Sequence, residues 1–404
     1  MHIARIETRS LDEAAPAIDL DQSPADLVFL SFTDSDLASL AAAWENAADS
    51  LPSLRLANLA LLKHPFSVDL HIEKVCAKAR FVLVRLLGGT DYWRYGVDEL
   101  AAMAQARHIH LAIVPGDRFE DTRLDAASTL GVNDLRQLWR YFEEGGPDNL
   151  AACLQFIAHR LGASTPAPPP RPVAPFGLYE TGRREGASDG PRALIVFYRS
   201  ILMASDMAPI DALAQALAAR GMSVTCVYVT SLKDSEVQAP LARLLAQIPF
   251  GVILNATAFS ARIDEDGGVL DTADAPVLQV VLAGSTREQW AASTRGLGAA
   301  DLAMNVVLPE IDGRILTPAI SFKQETQRSE RLEFTRIAHA PIDDRIAHVV
   351  DLACAWTRLR AKAPRERVIA CILSDYPAKG GRVGYAVGLD APRSVLAIGE
   401  ALGE

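Results

Sequence analysis

Histidines and carboxylates at two-residue spacing are the first places to look for metal or proton chemistry. Asp69, His71 and Glu73 would share one face of a β-strand. The apolar residues around them, Val68, Ile72, Val75, Cys76 and Ala79, recur at helical spacing instead. On a helix His71 lies about 200° round from Asp69, so the trio reads as a solvated helix face. His108 and His110 have strand-like spacing without a third ligand nearby, and read as ordinary loop and strand-edge residues. Neither H-E-x-x-H nor a zinc-type Cys/His set occurs. The five cysteines, at 76, 153, 226, 354 and 371, are far apart and odd in number. They read as reduced core residues of a cytoplasmic protein.

Phosphate-loop motifs are missing as well. G-x-x-x-x-G-K-[ST] and G-x-G-x-x-G do not occur, which argues against a Walker-type ATP site. Gly380-Gly381-Arg382 reads as a plain turn more readily than as an anion loop. What remains are polar residues placed just after apolar runs. Arg85 sits within Val84-Arg85-Leu86-Leu87-Gly88-Gly89. An arginine inside a strand needs an anionic or carbonyl partner, either a structural ion pair or a ligand. Tyr198-Arg199, Asn255, Thr257, Gln279, Ser285 and Thr286 stand at the ends of further apolar runs. In a doubly wound sheet these ends converge on one edge, where a ligand would sit. Turn chemistry and helix capping explain Ser285 and Thr286 equally well.

The elements that would position these residues alternate. Short apolar runs at 27–30, 81–87 and 109–114 read as strands; helical patterns occupy 35–44, 68–79, 97–107, 133–144 and 148–161, with Asp34 or Ser35 as the first cap. The Pro-rich stretch 164–191 reads as a linker. Strands are then expected at 193–198, 224–229, 252–254 and 277–282, and helices at 206–219, 234–247 and from 287. The pattern predicts an α/β protein: two doubly wound parallel-sheet domains, 1–163 and 192–330, plus the start of a third α/β unit, 331–404. That last unit shows a helix at 343–360 with Ile346, Val349, Val350, Ala353 and Leu359 inward, one strand at 368–373 and a helix at 392–402. A lone strand and helix leave an open edge and an uncovered apolar face, so a longer natural chain is expected.

The chain has 404 residues and a net charge of -10, with 50% hydrophobic and 22% charged residues, enough to bury a large core. The acidic balance speaks against general nucleic-acid binding. No apolar run is long enough to span a membrane, and no secretory signal follows Met1.

The phrases at the strand ends resemble the large, CobN-type subunits of aerobic cobaltochelatases, relatives of the large H-type subunits of magnesium chelatases. The resemblance runs from about Asp26 to Leu402. It is carried by Asp26 to Leu37, Val84 to Gly89, Gly145-Gly146-Pro147-Asp148-Asn149, Phe197-Tyr198-Arg199-Ser200, Ala208 to Leu213 and Leu254 to Phe259. The longest segments are PVLQVVLAGSTREQWAASTRGL from Pro276 and DLAMNVVLPEIDGRI from Asp301.

The resemblance implies ATP-dependent insertion of cobalt(II) into hydrogenobyrinic acid a,c-diamide during cobalamin synthesis in the cytoplasm. Cobalt is then a substrate. The large subunit holds the corrinoid macrocycle, and partner subunits of the AAA+ motor type hydrolyse ATP. It also implies that Arg85, Tyr198, Arg199, Asn255, Thr257 and Arg295 are macrocycle or interface contacts, since the substrate rim carries carboxylates and amides that suit such donors. No catalytic residue is transferred. Two loops depart from the family. Ser205-Asp206-Met207 stands where Gly, Asn or Asp, and Thr are common; Ser374 to Arg382 stands where Asn-Tyr-Pro-Asn-x-Asp-Gly-Arg is common. Family members are much longer, and the metal-inserting centre is expected beyond residue 404, so this chain alone should be inactive. Three readings stay open: part of a cobaltochelatase subunit, a corrinoid- or tetrapyrrole-binding module or scaffold arm for AAA+ motors, and a protein like the large subunit of magnesium chelatase.

Overall fold

The computed structural model describes residues 16–117, 119–180, 190–262, 267–373, 384 and 388–403. Two compact units emerge, Met1–Cys354 and Ala355–Glu404. The first unit contains two sheets.

The first sheet consists of β1 (Leu27–Ser31), β2 (Leu54–Asn58), β3 (Phe81–Leu86) and β4 (His110–Pro115), all parallel in the order β2-β1-β3-β4. Strands buried on both faces need continuous apolar runs, and Leu27-Val28-Phe29-Leu30 and Phe81-Val82-Leu83-Val84 supply them at 0–1% exposure. Helices α1 (Asp34–Glu45), α2 (Pro65–Lys74), α3 (Arg94–Arg107), α4 (Thr122–Ala127), α5 (Val132–Glu144) and α6 (Gly146–Arg160) accompany it; α1, α3, α5 and α6 follow the sequence pattern closely, α2 ends earlier than expected, and α4 is an addition to it. Leu37, Leu40, Ala41 and Trp44 of α1 are buried as expected. The cap is not: Thr33 holds the N-cap position without a side-chain bond, and Asp34 begins the helix while accepting from Asn58 Nδ2 at 2.6 Å. Strand β2 escapes a reading by apolar runs because Arg55 interrupts it.

The second sheet has seven strands: β5 (Phe176–Tyr179), β6 (Arg192–Tyr198), β7 (Ser223–Val229), β8 (Val252–Ala256), β9 (Val277–Thr286), β10 (Ile315–Glu325) and β11 (Ile337–Pro341). Their order is β11-β10-β9-β8-β6-β7-β5. The interior pairs are parallel, while β5 and β11 close the two edges antiparallel. Helices α7 (Arg199–Met203), α8 (Ala208–Ala219), α9 (Ser235–Gln247), α10 (Arg287–Ala292) and α11 (Asp343–Ala361) accompany it. Three of these strands are additions to the sequence reading. Strand β5 lies inside the Pro-rich stretch; β11 lies beyond residue 330. In β10, Pro318 speaks against an interior strand, and the ladder to β9 accommodates it by a register shift between Leu316 and Ala319.

The connection between β10 and β11 is one of the ties between the two sheets. The loop joining β10 to β11 reaches back to the first sheet, where Leu332, with no exposed surface, joins the core of Phe29, Leu56 and Tyr141. Glu333 beside it accepts from Arg55 Nη2 at 2.8 Å and from Ser23 Oγ at 2.6 Å. Arg331 lies over the Trp44 ring, 5.1 Å from its centroid.

In α11, Ile346, Val349, Val350 and Ala353 are buried as expected, but Leu359 is exposed. In the second unit, residues 368–373 form no ladder, so the expected strand is absent there. The unit ends in α12 (Ala391–Gly403).

Truncating Leu332 to Ala leaves a cavity in the first core. Leu332→Ala is expected to lower unfolding stability by about 2–5 kcal/mol, read as a reduced urea midpoint at unchanged slope.

Candidate functional site

In both sheets the strand order reverses once, between β1 and β3 and between β6 and β8. Ligands of open α/β sheets sit beyond the carboxyl ends of the strands at such points. Arg85 stands near the end of β3, Tyr198 ends β6, Arg199 begins α7, and Asn255 and Thr257 flank the end of β8. Sequence reasoning therefore brings these residues to the expected edges. Most of their polar atoms, however, are engaged by the protein itself, with the buried Arg85 Nε an exception.

Arg85 is the ion pair foreseen as one of its two alternatives. Its guanidinium donates to Asp36 at 2.6 Å and Glu143 at 3.1 Å, and stacks 5.4 Å from the Phe142 ring centroid. Asp36 also accepts from Ser31 Oγ at 3.0 Å, which fills the reversal point of the first sheet. In the second sheet Tyr198 donates to the Ala258 carbonyl at 2.8 Å, and burial pushes its phenol pKa up. Arg199 donates to the Val173 carbonyl at 2.5 Å. Asn255 donates to Gln279 Oε1 at 2.9 Å and accepts from Thr257 Oγ1 at 2.8 Å. Gln279 accepts from Arg314 at 3.0 Å, and Arg314 pairs with Asp312 at 2.8 Å. Burial draws the Arg314 pKa below its usual value, with Asp312 opposing. Asn255, Thr257, Gln279 and Arg314 lie between 0% and 6% exposed, so their network holds the loop after β8 in place. Arg295 is different: it is exposed, on the segment after α10.

An open cavity is lined by other residues. A cleft of about 360 Å³ separates the N-terminal turn of α1, at Asp34 and Ser35, from the α7–α8 turn at Ser205 and Asp206. Thr286, Lys323 and Arg336 from the second sheet and its connections complete it. Asp206 organises this wall. It accepts from Lys323 Nζ at 2.8 Å and from the His339 backbone N–H at 2.8 Å, and lies 2.7 Å from His339 Nδ1. An ionised carboxylate only accepts, so Nδ1 carries the proton. Burial opposes ionisation, but His339 and Lys323 outweigh it and hold the Asp206 carboxyl well below the usual carboxylate range. Lys323 keeps further N–H donors for a ligand. Ser205, at φ +53°, adopts the left-handed backbone that glycine takes without strain. Thr286 caps α10 in a reciprocal box with Gln289, as the capping alternative foresaw.

Sequence reasoning missed Asp206, Lys323 and Arg336. Lys323 lies on β10 and Arg336 just before β11, two strands that the sequence pattern does not reveal. No pattern in the sequence singles out Asp206. Residues 374–383, including Gly380-Gly381-Arg382, lie outside the described residues.

His108 ends α3 in a left-handed conformation, and His110 begins β4 at the surface. On α2 His71 is buried, while Asp69 accepts from the Tyr95 hydroxyl at 2.7 Å. Among the described residues no group of three His, Cys, Asp or Glu side chains is placed to hold a metal ion. No helix of the described residues is long and apolar enough to cross a membrane. Cys76, Cys153 and Cys226 are buried, and burial pushes the Cys76 and Cys226 thiols up to about 12. Cys371 is exposed, against the expectation of a core residue.

Comparison with known proteins gives this architecture a family. The CobN/Magnesium Chelatase family model matches residues 139–404. The chain belongs to the CobN/Magnesium Chelatase family. The aerobic cobaltochelatase CobN of a Sinorhizobium species is 37% identical over 98% of the chain, and that of Pseudomonas aeruginosa 36% over 100%. The H-type magnesium-chelatase polypeptide of Rhodobacter capsulatus is 24% identical over 83% of the chain and 30% of its own length. The solved catalytic subunit of cobaltochelatase from Mycobacterium tuberculosis superposes with a TM-score of 0.70 at 28% identity, over 93% of this chain and 30% of that one. The chain spans about a third of the length of the CobN relatives, 33% of each.

Burial lowers the His71 pKa to about 4, with Asp19 weakly opposing. In the unfolded chain the same ring titrates near 6.5. Between those values the unfolded state binds the extra proton, so stability falls as pH drops from about 6.5 to about 4, by up to ~3 kcal/mol, and then levels. Urea midpoints measured across that range should show this slope in the native chain and lose it in His71→Leu.

Proposed function

We propose that the chain forms part of the macrocycle-holding large subunit of an ATP-dependent cobaltochelatase, which inserts cobalt(II) into hydrogenobyrinic acid a,c-diamide in the cytoplasm. AAA+ motor subunits supply ATP hydrolysis as partners. The observation that carries this reading is the 37% identity to a CobN polypeptide across nearly the whole chain, against 24% to a magnesium-chelatase relative.

The chemistry of the cleft is compatible with it. Insertion requires the ring nitrogens to lose protons, the metal to lose water and a stiff ring to deform. A frame that grips the rim helps the last of these, because binding energy at remote groups can offset distortion at the reacting centre. The substrate rim carries carboxylates and amides. Lys323 and Arg336 offer charged donors to a carboxylate, and Thr286 and Asp206 offer a hydroxyl and an acceptor to an amide. A cleft of about 360 Å³ is at the small end of ligand sites and suits one arm of the rim. Arg295, exposed on the segment after α10, is a further rim or interface contact.

A second reading, a scaffold arm that docks the motor subunits and touches no macrocycle, is favoured by the internal engagement of Arg85, Tyr198, Arg199, Asn255 and Thr257. The two readings separate in one experiment. Hydrogenobyrinic acid a,c-diamide titrated into the chain should change its absorbance spectrum and saturate. Replacing both Lys323 and Arg336 with Ala should weaken binding by about 10–100-fold, the loss of one or two charge-assisted bonds. A flat titration, together with capture of the motor subunits by the chain, would leave only the scaffold arm.

A further inference from the structure

The cleft beside α1 does not stand alone. Ser35, Ala38 and Ala42, with Asn46 at the C-cap, recur at three- and four-residue spacing and share one face of the helix. The cleft opens at Ser35 and Ala38. A second cavity, of about 230 Å³, opens further along the same face, at Ala42, Ala43 and Asn46. Ser205, on the turn between α7 and α8, lines both. The two cavities are therefore neighbouring chambers of one groove between α1 and that turn. Ser39 of α1 reaches the Met203 carbonyl at 3.1 Å, which holds the turn against the helix.

The chambers differ in chemistry. In the first, Lys323 gives one N–H to Asp206 and keeps two, while Asp34 is already met by Asn58. Arg336 meets Glu45 only at 3.7 Å, too far for a good hydrogen bond. Both cations thus keep donors for an incoming anion. In the second, no lining residue carries a charge, and Leu202, Met207, Pro147 and Tyr179 form most of the wall. The Tyr179 hydroxyl is committed to Asp211 at 3.0 Å. Seven residues of helix, about 10 Å, separate Ser35 from Ala42. Together the chambers reach the ordinary size of small-molecule sites. We propose that they form one binding groove for a small molecule carrying an anionic group on an apolar body. The anion meets Lys323 and Arg336, and the body lies along α1 against Leu202 and Met207. The identity of the natural ligand, a corrinoid edge with a carboxylate arm beside ring substituents, rests on the macrocycle reading.

The probe is 1-anilinonaphthalene-8-sulfonate, which has both parts and reports apolar surroundings by its fluorescence. Added to the 404-residue chain, it should saturate a single site. Replacing both Lys323 and Arg336 with Ala should weaken it about 10–100-fold. Ala42→Phe, which fills the apolar chamber, should weaken it at least ten-fold with an unchanged thermal melt. Leu202→Asn, a change of nearly equal volume at a half-buried wall residue, should do the same and stands in if Ala42→Phe lowers the melt. N-phenyl-1-naphthylamine, the same body without the sulfonate, should bind at least ten-fold more weakly and respond to Ala42→Phe alone. Equal affinity of the two probes overturns the proposal, as does a probe site indifferent to the cation pair or to both apolar-chamber variants. Hydrogenobyrinic acid a,c-diamide should displace the sulfonate. A probe site with the expected pattern that the corrinoid leaves occupied keeps the groove and removes the macrocycle reading. A saturating corrinoid spectrum beside a probe site indifferent to the substitutions removes the groove and keeps that reading.

Discussion

The insertion of the β10–β11 loop into the first sheet's core is the contact on which the arrangement of the larger unit depends. Leu332 contributes apolar burial, and the Arg55–Glu333 pair contributes direction. Arg55 is 9% exposed on its side chain, so it sits where a lost partner would leave a nearly buried charge. Breaking such a pair costs about 3–5 kcal/mol, more than the intact pair contributes over an apolar substitute. The pair is therefore better understood as fixing one docking geometry than as a source of net stability. The two strands that this loop joins also carry the Asp206 cluster, with Lys323 on β10 and His339 on β11. One hairpin thus sets both the spacing of the sheets and the wall of the cleft between them.

The polar residues at the strand reversals illustrate a different constraint. A doubly wound sheet directs strand ends, helix starts and their unpaired backbone groups to one edge. Without a ligand, that edge must be filled by the protein or by water. In this chain it is filled by the protein: Arg85, Asp36 and Glu143 in one sheet, and Asn255, Thr257, Gln279 and Arg314 in the other. A network in which each side chain reaches several others is stiff, because no member can leave without exposing an unpaired group in a low-dielectric setting.

Much of this was legible from residue order, and the exceptions have physical causes. Elements with unbroken apolar runs or helical periodicity, such as β1, β3, β6 and α5, stand where the pattern puts them. The four strands overlooked each carry a feature that speaks against a strand. Arg55 interrupts β2, a proline-rich setting hides β5, Pro318 interrupts β10, and β11 is a short edge without alternation. Tertiary partners supply what the local sequence lacks: the Glu333 carboxylate for Arg55, a register shift against β9 for Pro318, and the β10 ladder for β11. The same reasoning explains the site. Residues at the ends of recognised strands were named, while Lys323, on an unrecognised strand, was not. No local pattern signals that a carboxylate at 206 meets donors at 323 and 339, since that contact spans more than a hundred residues.

The run at 368–373 is the converse case. There the local signal for a buried strand is as strong as in β1, yet the structure shows no ladder. Propensity alone does not make a strand, because the ladder needs a neighbour to satisfy its backbone and a layer to cover each face. Strands β1 and β6 have both, within a unit that supplies its own crossovers. Among the described residues of Ala355–Glu404, the run at 368–373 has neither. The contrast separates two meanings of a sequence pattern. In the first unit the pattern is realised as a strand; in the second the same pattern stands without the ladder and cover that would realise it.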